Sequence, residues 1–450
     1  MSSSNLSTET THSLRSSRHR IYEVPDTVLR WYHHVIGLVF GLIITVITAG
    51  KHNSGDWGSL WIAGLLVRDN NREYLYQIDD QDFALPKGDV WFDTIANSDV
   101  SSMPHPFVHV PFVADVMSIF VRIMSFDTSV YFLTALSGWA LVVLVVSAWF
   151  LWFEEEIPAF VLLVGMLLVW VSTSFQSSLY LGQTSPLIFA GVAYGLAAAR
   201  IQPIRAGIAL GLAASVKLTP VILVVICLFF PRTRRAGIMA MGVGISIVSY
   251  SIVVAGWEVF MTWRETLQKI NAAVLVAPVN GAFASQISTH LVEDDRLHVA
   301  IINDPPLVAS LVPRLMILVL IALVVYAAWR SYEPWKIATV GIFTTLTAAN
   351  GILWDHYVIV AILPLLGIIA RGQGRITYAA PILAFFAFPP VASAATDLWV
   401  SWAALITLVG LVIALCFAEL GRKEASPQRR MIWWQRRQTG LFPVQNTNPD

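Results

Sequence analysis

The chain has 450 residues, of which 56% are hydrophobic and 13% are charged, whereas a soluble domain has about 25% charged residues. The formal net charge is zero, so nothing in the composition argues for a nucleic-acid partner. The two cysteines, Cys227 and Cys416, both lie in apolar runs, which excludes a disulfide framework. Several apolar runs reach the roughly 20 residues that cross a bilayer. The sequence therefore predicts an all-α polytopic membrane protein.

The chain begins with a polar segment, residues 1–30, that is rich in serine and threonine. It has no apolar stretch typical of a cleaved signal peptide, so we expect a disordered cytoplasmic tail. One transmembrane domain is expected over residues 31–420, followed by a basic cytoplasmic tail over residues 421–450. In that tail, "RRMIWWQRRQ" combines arginines with large apolar residues, which predicts a segment lying on the inner leaflet.

Apolar stretches predict about twelve transmembrane helices, two of them short. We expect them at residues 33–50, 129–153, 158–175, 185–199, 206–216, 219–230, 237–256, 307–328, 337–353, 357–370, 376–391 and 398–418. Cytoplasmic loops of membrane proteins carry an excess of arginine and lysine. The clusters that mark this side are Arg15, Arg18, Arg20 and Arg30, then Arg200 with Arg205, Arg232 with Arg234 and Arg235, Arg330 with Lys336, and Arg371 with Arg375.

All these clusters lie on one side only if residues 206–230 form a hairpin and residues 107–124 do not cross the bilayer. A single crossing by "AGIALGLAASVKLTPVILVVICLFF" would leave Lys217 in the middle of the membrane, which costs at least about 2.5–3.5 kcal/mol. It would also place arginine clusters on opposite sides. A break at Lys217–Pro220 avoids both problems, because proline disfavours helix at the residue before it and has no amide donor. We therefore expect Lys217 at the outward tip of a hairpin.

The first outer loop, residues 51–128, is acidic, with eleven Asp or Glu residues against five Lys or Arg. At its start, "NSGDWGSLWIAGLLVRDN" places Asp56 at the beginning of a short helix beside the membrane. An acid there suits removal of a proton from a sugar hydroxyl, because partial desolvation makes a carboxylate a stronger base. A lipid phosphate leaving in that reaction would need cationic or donor groups around its growing charge. The candidates on outward loops or span ends are Lys217, His356, Arg314, Gln183 and Asn280.

Two stretches of the chain resemble a known family. "LGQTSPLIFAGVAYGL" and "IRAGIALGLAASVKLTPVILVV" are similar to the paired segment of the polyprenyl-phosphate-sugar-dependent glycosyltransferases of the GT-C superfamily. The match is closest to the GT87 family, which includes actinobacterial mannosyl- and arabinofuranosyltransferases. Gly182-Gln183 and Lys217-Leu218-Thr219-Pro220 match the family's motifs residue by residue. The resemblance extends over roughly residues 35–370.

Further segments carry the same resemblance. In "ANGILWDHYVIVAILPLL", Trp354 and His356 match the family's Trp-x-His-His pattern, and Tyr357 replaces the second histidine. "PFVHVPFVADVM" stands where the family has Pro-Phe-x-Tyr-Pro-Pro, from which His109 and Val110 depart. "SGDWGSLWIAGLLV" is similar to the segment that holds the family's first-loop acid.

The resemblance implies a GT-C fold with juxtamembrane helices in the first extracytoplasmic loop. It implies that Asp56 is the general base of an inverting single displacement. The sugar, with mannose favoured over arabinofuranose, would pass from a polyprenyl-phosphate donor to a cell-envelope glycolipid or lipoglycan. From the positions of the residues and the resemblance together, we expect contacts to the donor phosphate from Lys217, His356, Gln183, Asn280 and Arg314, and contacts to the sugar or acceptor from Trp57, His109, Trp354 and Asp355. No metal and no cofactor is expected, because no Asp-x-Asp pair stands beside Asp56.

Each of these residues also has a structural interpretation. Asp56 is a favourable helix-capping residue. Lys217 could snorkel to an interface, and Trp57 could be an interfacial anchor. A lone histidine such as His356 is often only hydrogen-bonded in a turn. Arg314 either pairs with a buried acid or faces the cavity.

The alternative function is that of a membrane transporter or lipid flippase, since transporters also break helices and bury charges. Transporters usually show paired halves with matching interruptions near the middle of the membrane. Here the polar groups cluster on one side, and the acidic first loop has no counterpart. This asymmetry favours an enzyme in the plasma membrane, with both termini cytoplasmic and an extracytoplasmic active site.

Overall fold

The structure is a computed structural model and describes residues 25–79, 82–277, 280–291, 300–390 and 398–422. Most of residues 1–30 and of 421–450, the two predicted tails, therefore lie outside the described residues. The α-helices, numbered in chain order, are α1 (Trp31–Thr48), α2 (Gly55–Arg68), α3 (Asp89–Ala96), α4 (Pro111–Ile123), α5 (Phe126–Phe153), α6 (Ala159–Trp170), α7 (Thr173–Leu181), α8 (Ser185–Ala198), α9 (Pro203–Val216), α10 (Val221–Phe229), α11 (Arg234–Ala255), α12 (Trp257–Ala272), α13 (Phe283–Ser288), α14 (Leu307–Arg330), α15 (Pro334–Ala348), α16 (Ile362–Arg371), α17 (Ala379–Ala387) and α18 (Leu398–Leu420). The predicted all-α class is confirmed for this part of the chain.

Short elements join these helices. The 3-10 helices are Arg72–Tyr74, Thr289–Leu291, Asp355–Ala361 and Gly374–Tyr378. Two three-residue strands, β1 (Val274–Val276) and β2 (Ala300–Ile302), pair antiparallel, with Leu275 opposite Ile301. They lie in the segment between α12 and α14, which therefore carries structure of its own.

Within the described ranges, five helices are long and apolar enough to cross a membrane: α1, α5, α11, α14 and the Trp402–Leu420 part of α18. The other predicted spans form shorter helices. With 14 residues, α9 is about 21 Å long, less than the roughly 30 Å of a hydrocarbon core. The count of twelve spans is therefore not confirmed and stays a prediction.

The predicted span 158–175 is interrupted. It ends as α6 at Trp170, and a separate helix, α7, starts at Thr173. The cause is local, because the hydroxyl of Ser172 accepts a hydrogen bond from the amide of Phe175 and so caps a new helix.

The predicted hairpin is present in the structure. Gly207 and Gly211 of α9 lie against Ala236 and Ala240 of α11, so α9 and α11 run in the same direction. Gly237, at the start of α11, lies against Cys227 at the end of α10. The start of α9 and the end of α10 therefore meet at the same end of α11. The chain turns back at Lys217–Pro220, as expected from the proline and the flanking arginines.

Ion pairs collect several basic loops at one end of the bundle, which we call the basic end. Glu154, after α5, pairs with Arg200 at 3.2 Å and with Lys336 at 2.9 Å. Lys336 also pairs with Glu333 at 2.9 Å, and Arg371 pairs with the same carboxylate. The loops after α5, α8, α14 and α16 thus share one end, which agrees with their predicted common side.

Helices α2, α3 and α4 form a layer of short helices at the other end, which we call the site end. Gly64 of α2 lies directly against the backbone of Met117 in α4, so these two helices pack closely. The amide of Phe112 in α4 lies 3.3 Å from the hydroxyl of Ser251, near the end of α11. With 13 residues, α4 is about 20 Å long, in agreement with the prediction that residues 107–124 do not cross.

Candidate active site

Asp56 stands in the first turn of α2, and the turn between α7 and α8 is fastened to the start of that helix. The carbonyl of Tyr180 accepts hydrogen bonds from the amides of Asn53 and Ser54, at 2.8 and 2.9 Å. Gly182 adopts a left-handed conformation with φ of 68°. A side chain there would meet the Cβ atom of Trp57 at 2.8 Å, so only glycine fits. This close approach places Gln183 beside Asp56.

Both oxygens of the Asp56 carboxylate face other side chains. The side-chain amide of Gln183 donates a hydrogen bond to Oδ2. The Nε2 atom of His105 lies 3.7 Å from Oδ1. The Asp56 side chain keeps 24% of its surface exposed, and that of His105 keeps 54%. Asp56 is thus held by its neighbours but still open to solvent, as a base that exchanges protons must be.

Lys217 occupies the tip of the α9–α10 hairpin, directly after α9. Its ammonium donates a hydrogen bond to the hydroxyl of Ser185 at 2.8 Å and lies 4.1 Å from the centre of the Tyr357 ring. Desolvation lowers the pKa of Lys217 to about 7, and the negative charge of Asp56 opposes that shift. The hairpin tip and the start of α2 therefore belong to one electrostatic site.

His356 lies in the 3-10 helix before α16 and is 1% exposed. Neither of its ring nitrogens has a hydrogen-bond partner within the described residues. Its pKa is lowered chiefly by desolvation; the nearby positive charge of Lys217 adds to this, and Asp355 and Asp56 oppose it. A buried polar group without a partner costs about 1–3 kcal/mol. The ring is therefore poised to bind a polar ligand.

Asp355 links this 3-10 helix to α7. Its Oδ1 atom accepts hydrogen bonds from the hydroxyl of Ser177 at 2.9 Å and from the amide of His356 at 2.7 Å. The same oxygen lies 3.6 Å from Nδ1 of His356. This geometry places Asp355 to orient His356, and the predicted contact of Asp355 with the sugar stays a prediction.

His109 joins the first outer loop to the hairpin. Its Nδ1 lies 2.8 Å from the carbonyl oxygen of Val216, which is an acceptor only, so Nδ1 carries the proton. The hydroxyl of Tyr76 donates to the carbonyl of His109 at 2.6 Å. Desolvation is the main cause of a lowered pKa at His109, and the charges of Lys217 and Asp56 also act on it. His109 therefore lies at the site, with its Nε2 atom not used in these bonds.

Three predicted ligands already have protein partners or stand apart from this grouping, and their roles stay predictions. The amide of Asn280 is fully buried and already used: Nδ2 donates to the carbonyl of Leu275 at 2.7 Å, and Oδ1 accepts from the amide of Leu353 at 2.8 Å. Trp57 is 7% exposed and its indole donates to the hydroxyl of Ser129 at 2.8 Å, so it packs inside the fold.

The third of these residues is Arg314, whose side chain is exposed on α14. The polar contacts among the described residues do not join it to Asp56 or Lys217. Trp354 pairs with Asn280 through a β-bridge and is half-buried. Its position beside His356 keeps it near the site.

Three residues of this site were missed from the sequence. They are His105 beside Asp56, and Ser185 and Tyr357 around the Lys217 ammonium. A cavity of about 20 Å³ beside Lys217, Thr219, Asn350 and Tyr357 has room for about one water molecule. No local pattern marks His105, because its partner is 49 residues earlier in the chain.

The chain was compared with protein families, curated proteins and solved structures. The model of glycosyltransferase family 87 matches residues 107–349, more than half of the chain. This stretch includes His109, Gln183 and Lys217, and it ends before His356. No curated protein and no solved structure matches the chain significantly. The chain belongs to glycosyltransferase family 87 and is a membrane glycosyltransferase.

Proposed function

We propose that the protein transfers a sugar from a polyprenyl-phosphate donor to a cell-envelope glycolipid or lipoglycan, with Asp56 as the general base. The observation that carries this proposal is the grouping of Asp56, Lys217 and His356 at one end of the bundle. The turn into α8 holds Asp56 through Gln183 and Lys217 through Ser185, and the Lys217 ammonium lies 4.1 Å from the ring of Tyr357, the residue after His356. A carboxylate, a lysine and an unpartnered histidine supply what a sugar transfer to a hydroxyl from a phosphate requires. The resemblance to the family favours mannose as the sugar, with arabinofuranose as the alternative.

The proposed reaction is an inverting single displacement. Asp56 takes the proton of the acceptor hydroxyl while its oxygen forms a bond to the anomeric carbon. The bond between that carbon and the phosphate oxygen breaks, and the polyprenyl phosphate leaves with the electron pair. Gln183 holds Oδ2 of Asp56, so Oδ1 faces the proton to be removed.

Lys217 and His356 stabilise the leaving phosphate in this proposal. A phosphate beside Lys217 favours the charged ammonium and raises its lowered pKa. A neutral His356 can donate one N–H group to a phosphate oxygen. Negative charge grows on that oxygen as the bond breaks, so both contacts strengthen in the transition state.

The placement of the site supports an extracytoplasmic reaction. Asp56, His109 and Lys217 lie at the site end, opposite the loops joined by Glu154 and Glu333. Loops rich in arginine and lysine are cytoplasmic in membrane proteins. We therefore place the site on the outer face of the plasma membrane, where the lipid donor and acceptor enter from the bilayer.

The direct test is transfer of a labelled sugar by the purified protein in lipid nanodiscs. Polyprenyl-phosphate mannose and polyprenyl-phosphate arabinofuranose serve as donors, with envelope glycolipids as acceptors. The Asp56→Asn protein should lose about 10²–10⁴-fold in rate. Asp89→Asn, which changes a first-turn acid of α3, should keep wild-type activity. An Asp56→Asn protein with near-normal turnover would disprove the role of Asp56.

A second test separates the two halves of the site. Lys217→Ala and His356→Ala should lower kcat/KM for the lipid donor and leave acceptor binding nearly unchanged. Weakened acceptor binding with normal donor binding would instead assign these residues to the acceptor. If sealed vesicles moved the lipid across the bilayer and purified protein transferred no sugar, the flippase alternative would be the better account.

A further inference from the structure

A second cavity, with polar walls, lies in the layer formed by α2, α3 and α4, toward the other end of α2 from Asp56. It has a volume of about 460 Å³ and is bounded by the later turns of α2, by α3 and by the junction between α4 and α5. Cavities that bind small ligands have about 300–1,000 Å³. This cavity is large enough to hold a ligand, in contrast to the small cavity beside Lys217.

The chemistry of its walls is mixed. One side of the cavity is formed by α3 and its C-terminal cap, which contribute Asp93, Thr94 and Asn97. The cavity is also lined by Asn71, which follows the end of α2. Trp61 and Leu65 of α2 are almost fully buried and form an apolar floor. Carboxylates accept hydrogen bonds, while amides and hydroxyls both donate and accept. The polar walls therefore offer many hydrogen-bond partners to the hydroxyl groups of a ligand, and the apolar floor suits the carbon–hydrogen faces of its rings.

Other ligand classes fit less well. A metal ion is disfavoured because Asp69 already pairs with Arg68 at 2.8 Å, and the described residues hold no group of three His, Cys, Asp or Glu side chains arranged for a metal. An anionic headgroup would be repelled by Asp93 and Asp99. An acyl chain or apolar peptide would leave the polar walls unpaired. A neutral ligand with many hydroxyls meets all of these conditions.

We propose that this cavity binds the oligosaccharide part of the acceptor, at sugar residues remote from the hydroxyl that reacts. The inference rests on the proposed function and narrows the acceptor class. Along α2, the cavity begins at Trp61, five residues after Asp56, and ends at Arg68, 12 residues after it, which are rises of about 8 and 18 Å. A single sugar that reacts at Asp56 cannot also fill this cavity, whereas a chain of several sugars can extend from Asp56 into it. The acceptor is therefore a lipid that already carries an oligosaccharide.

Binding in this cavity would contribute to catalysis from a distance. Contacts with remote parts of a substrate raise kcat/KM when they hold the reacting group in place. A hydrogen bond to a charged group contributes about 1.5–3 kcal/mol, which corresponds to roughly 10–100-fold. Loss of the Asp93 and Asn97 contacts should therefore weaken the binding of an oligosaccharide acceptor by at least about tenfold.

The first arm of the test measures binding without turnover. Purified Asp56→Asn protein is titrated with a mannose tetrasaccharide and an arabinofuranose tetrasaccharide, and with the two methyl monosaccharides, by saturation-transfer NMR and calorimetry. One tetrasaccharide should bind and the monosaccharides should bind at least tenfold more weakly. Adding Asp93→Asn with Asn97→Leu should weaken the binding of the tetrasaccharide by at least about tenfold. Both residues are exposed. Since Asn97→Leu also removes a bond from the Asn97 side chain to the carbonyl of Asp93 at 2.8 Å, size-exclusion chromatography must show that this variant is as well folded as the wild type.

Asp127→Asn provides the matched control, because Asp127 is an exposed acid of the same end of the molecule that does not line the cavity. It should leave tetrasaccharide binding unchanged. Absence of tetrasaccharide binding, or equal binding by the cavity variant and the control, would overturn the proposal.

The second arm separates this proposal from the proposed function. In a protein with Asp56 intact, the cavity variant (Asp93→Asn with Asn97→Leu) should lose about tenfold in kcat/KM for an acceptor with four sugar residues. Its kcat/KM for a single-sugar acceptor should stay unchanged. The KM for the lipid donor should stay constant. Failure of every donor to react would refute the proposed function while the binding arm still reports on the cavity. Normal transfer with no dependence on acceptor length would refute the cavity alone.

Discussion

The side-chain amide of Gln183 donates a hydrogen bond to Oδ2 of Asp56, although 127 residues separate the two in the chain. The contact exists because Gly182 permits the α7–α8 turn to lie against the start of α2. It fixes the rotation of the carboxylate and leaves Oδ1 toward His105. A base that must meet a hydroxyl in one orientation benefits from this constraint.

Removing the amide donor should therefore weaken catalysis. Gln183→Leu loses a hydrogen bond to a charged group, which contributes about 1.5–3 kcal/mol, so we expect kcat to fall about tenfold or more. Gln183→Glu places a second negative charge against Asp56 and should be worse. Steady-state transfer assays check both variants.

Gln176→Leu is the control, because it removes an amide hydrogen bond on α7, to the carbonyl of Trp170 at 2.7 Å, without touching Asp56. Its activity per folded molecule should match the wild type. Equal activities of Gln183→Leu and Gln176→Leu would show that the contact with Asp56 has no role in the reaction.

Much of this site could be predicted from local sequence signals. Asp56 follows an apolar span, and Lys217 precedes a proline between two apolar stretches with arginines outside them. Hydropathy, charge and proline act within a few residues, so they indicate the hairpin and its outward lysine. Gln183 and His356 are indicated only by their place on outward loops or span ends, and the family resemblance supplies their expected roles.

The remaining features depend on contacts between distant segments. His105 meets Asp56 only after the first outer loop has folded over α2, and Trp57 is buried because Ser129 of α5 accepts its N–H group. Asn280 appeared as a free amide in an outer loop, but the loop before Trp354 uses it for backbone hydrogen bonds. The helix lengths also differ from the spans predicted by hydropathy, because a capping serine such as Ser172 can end an apolar helix early.

The pH dependence of donor use should follow Lys217. Its pKa is lowered to about 7, first by desolvation, so the ammonium of the free enzyme is charged below that pH and neutral above it. The profile of kcat/KM reports groups of the free enzyme. We expect kcat/KM for the donor to fall as the pH rises above about 7, because a neutral amine holds a phosphate less strongly.

Lys217→Arg tests the assignment, because a guanidinium stays charged at every accessible pH. The variant should lose the alkaline fall even if its maximum rate is lower. A fall of the same shape at the same pH in Lys217→Arg would assign the titration to another group.

The ion pairs of the basic end should matter for stability. Glu333 meets both Lys336 and Arg371, which are 1% and 7% exposed at their side chains. Burial alone would raise the pKa of Glu333, but the two cations lower it. Its contribution is present above the ordinary pKa of 4.5 and is lost as the pH falls toward the lowered pKa. Glu333→Gln leaves two buried cations with fewer partners, an effect of about 3–5 kcal/mol when a buried pair is broken.

Thermal unfolding in detergent, followed by size-exclusion chromatography of heated samples, measures this effect. Glu333→Gln should unfold at a temperature several degrees below the wild type at pH 7. Glu155→Gln changes an exposed acid in the loop after α5 and should unfold like the wild type. A Glu333→Gln protein as stable as Glu155→Gln would show that the buried cations are held by their other partners alone.

The last prediction concerns the orientation of the α9–α10 hairpin in the membrane. Thr219 lies at its tip beside Lys217, whereas Arg232 is exposed at its base, next to the start of α11. Arginine-rich loops face the cytoplasm, so the tip must face outward. In a background with Cys227 and Cys416 replaced, a membrane-impermeant thiol reagent added to intact cells should label Thr219→Cys and leave Arg232→Cys unlabelled. After lysis both should react, which shows that Arg232→Cys is reactive once accessible.

Labelling of Arg232→Cys in intact cells, with Thr219→Cys protected until lysis, would reverse the topology. The proposed site would then face the cytoplasm, and a donor presented on the outer leaflet would have no access to Asp56.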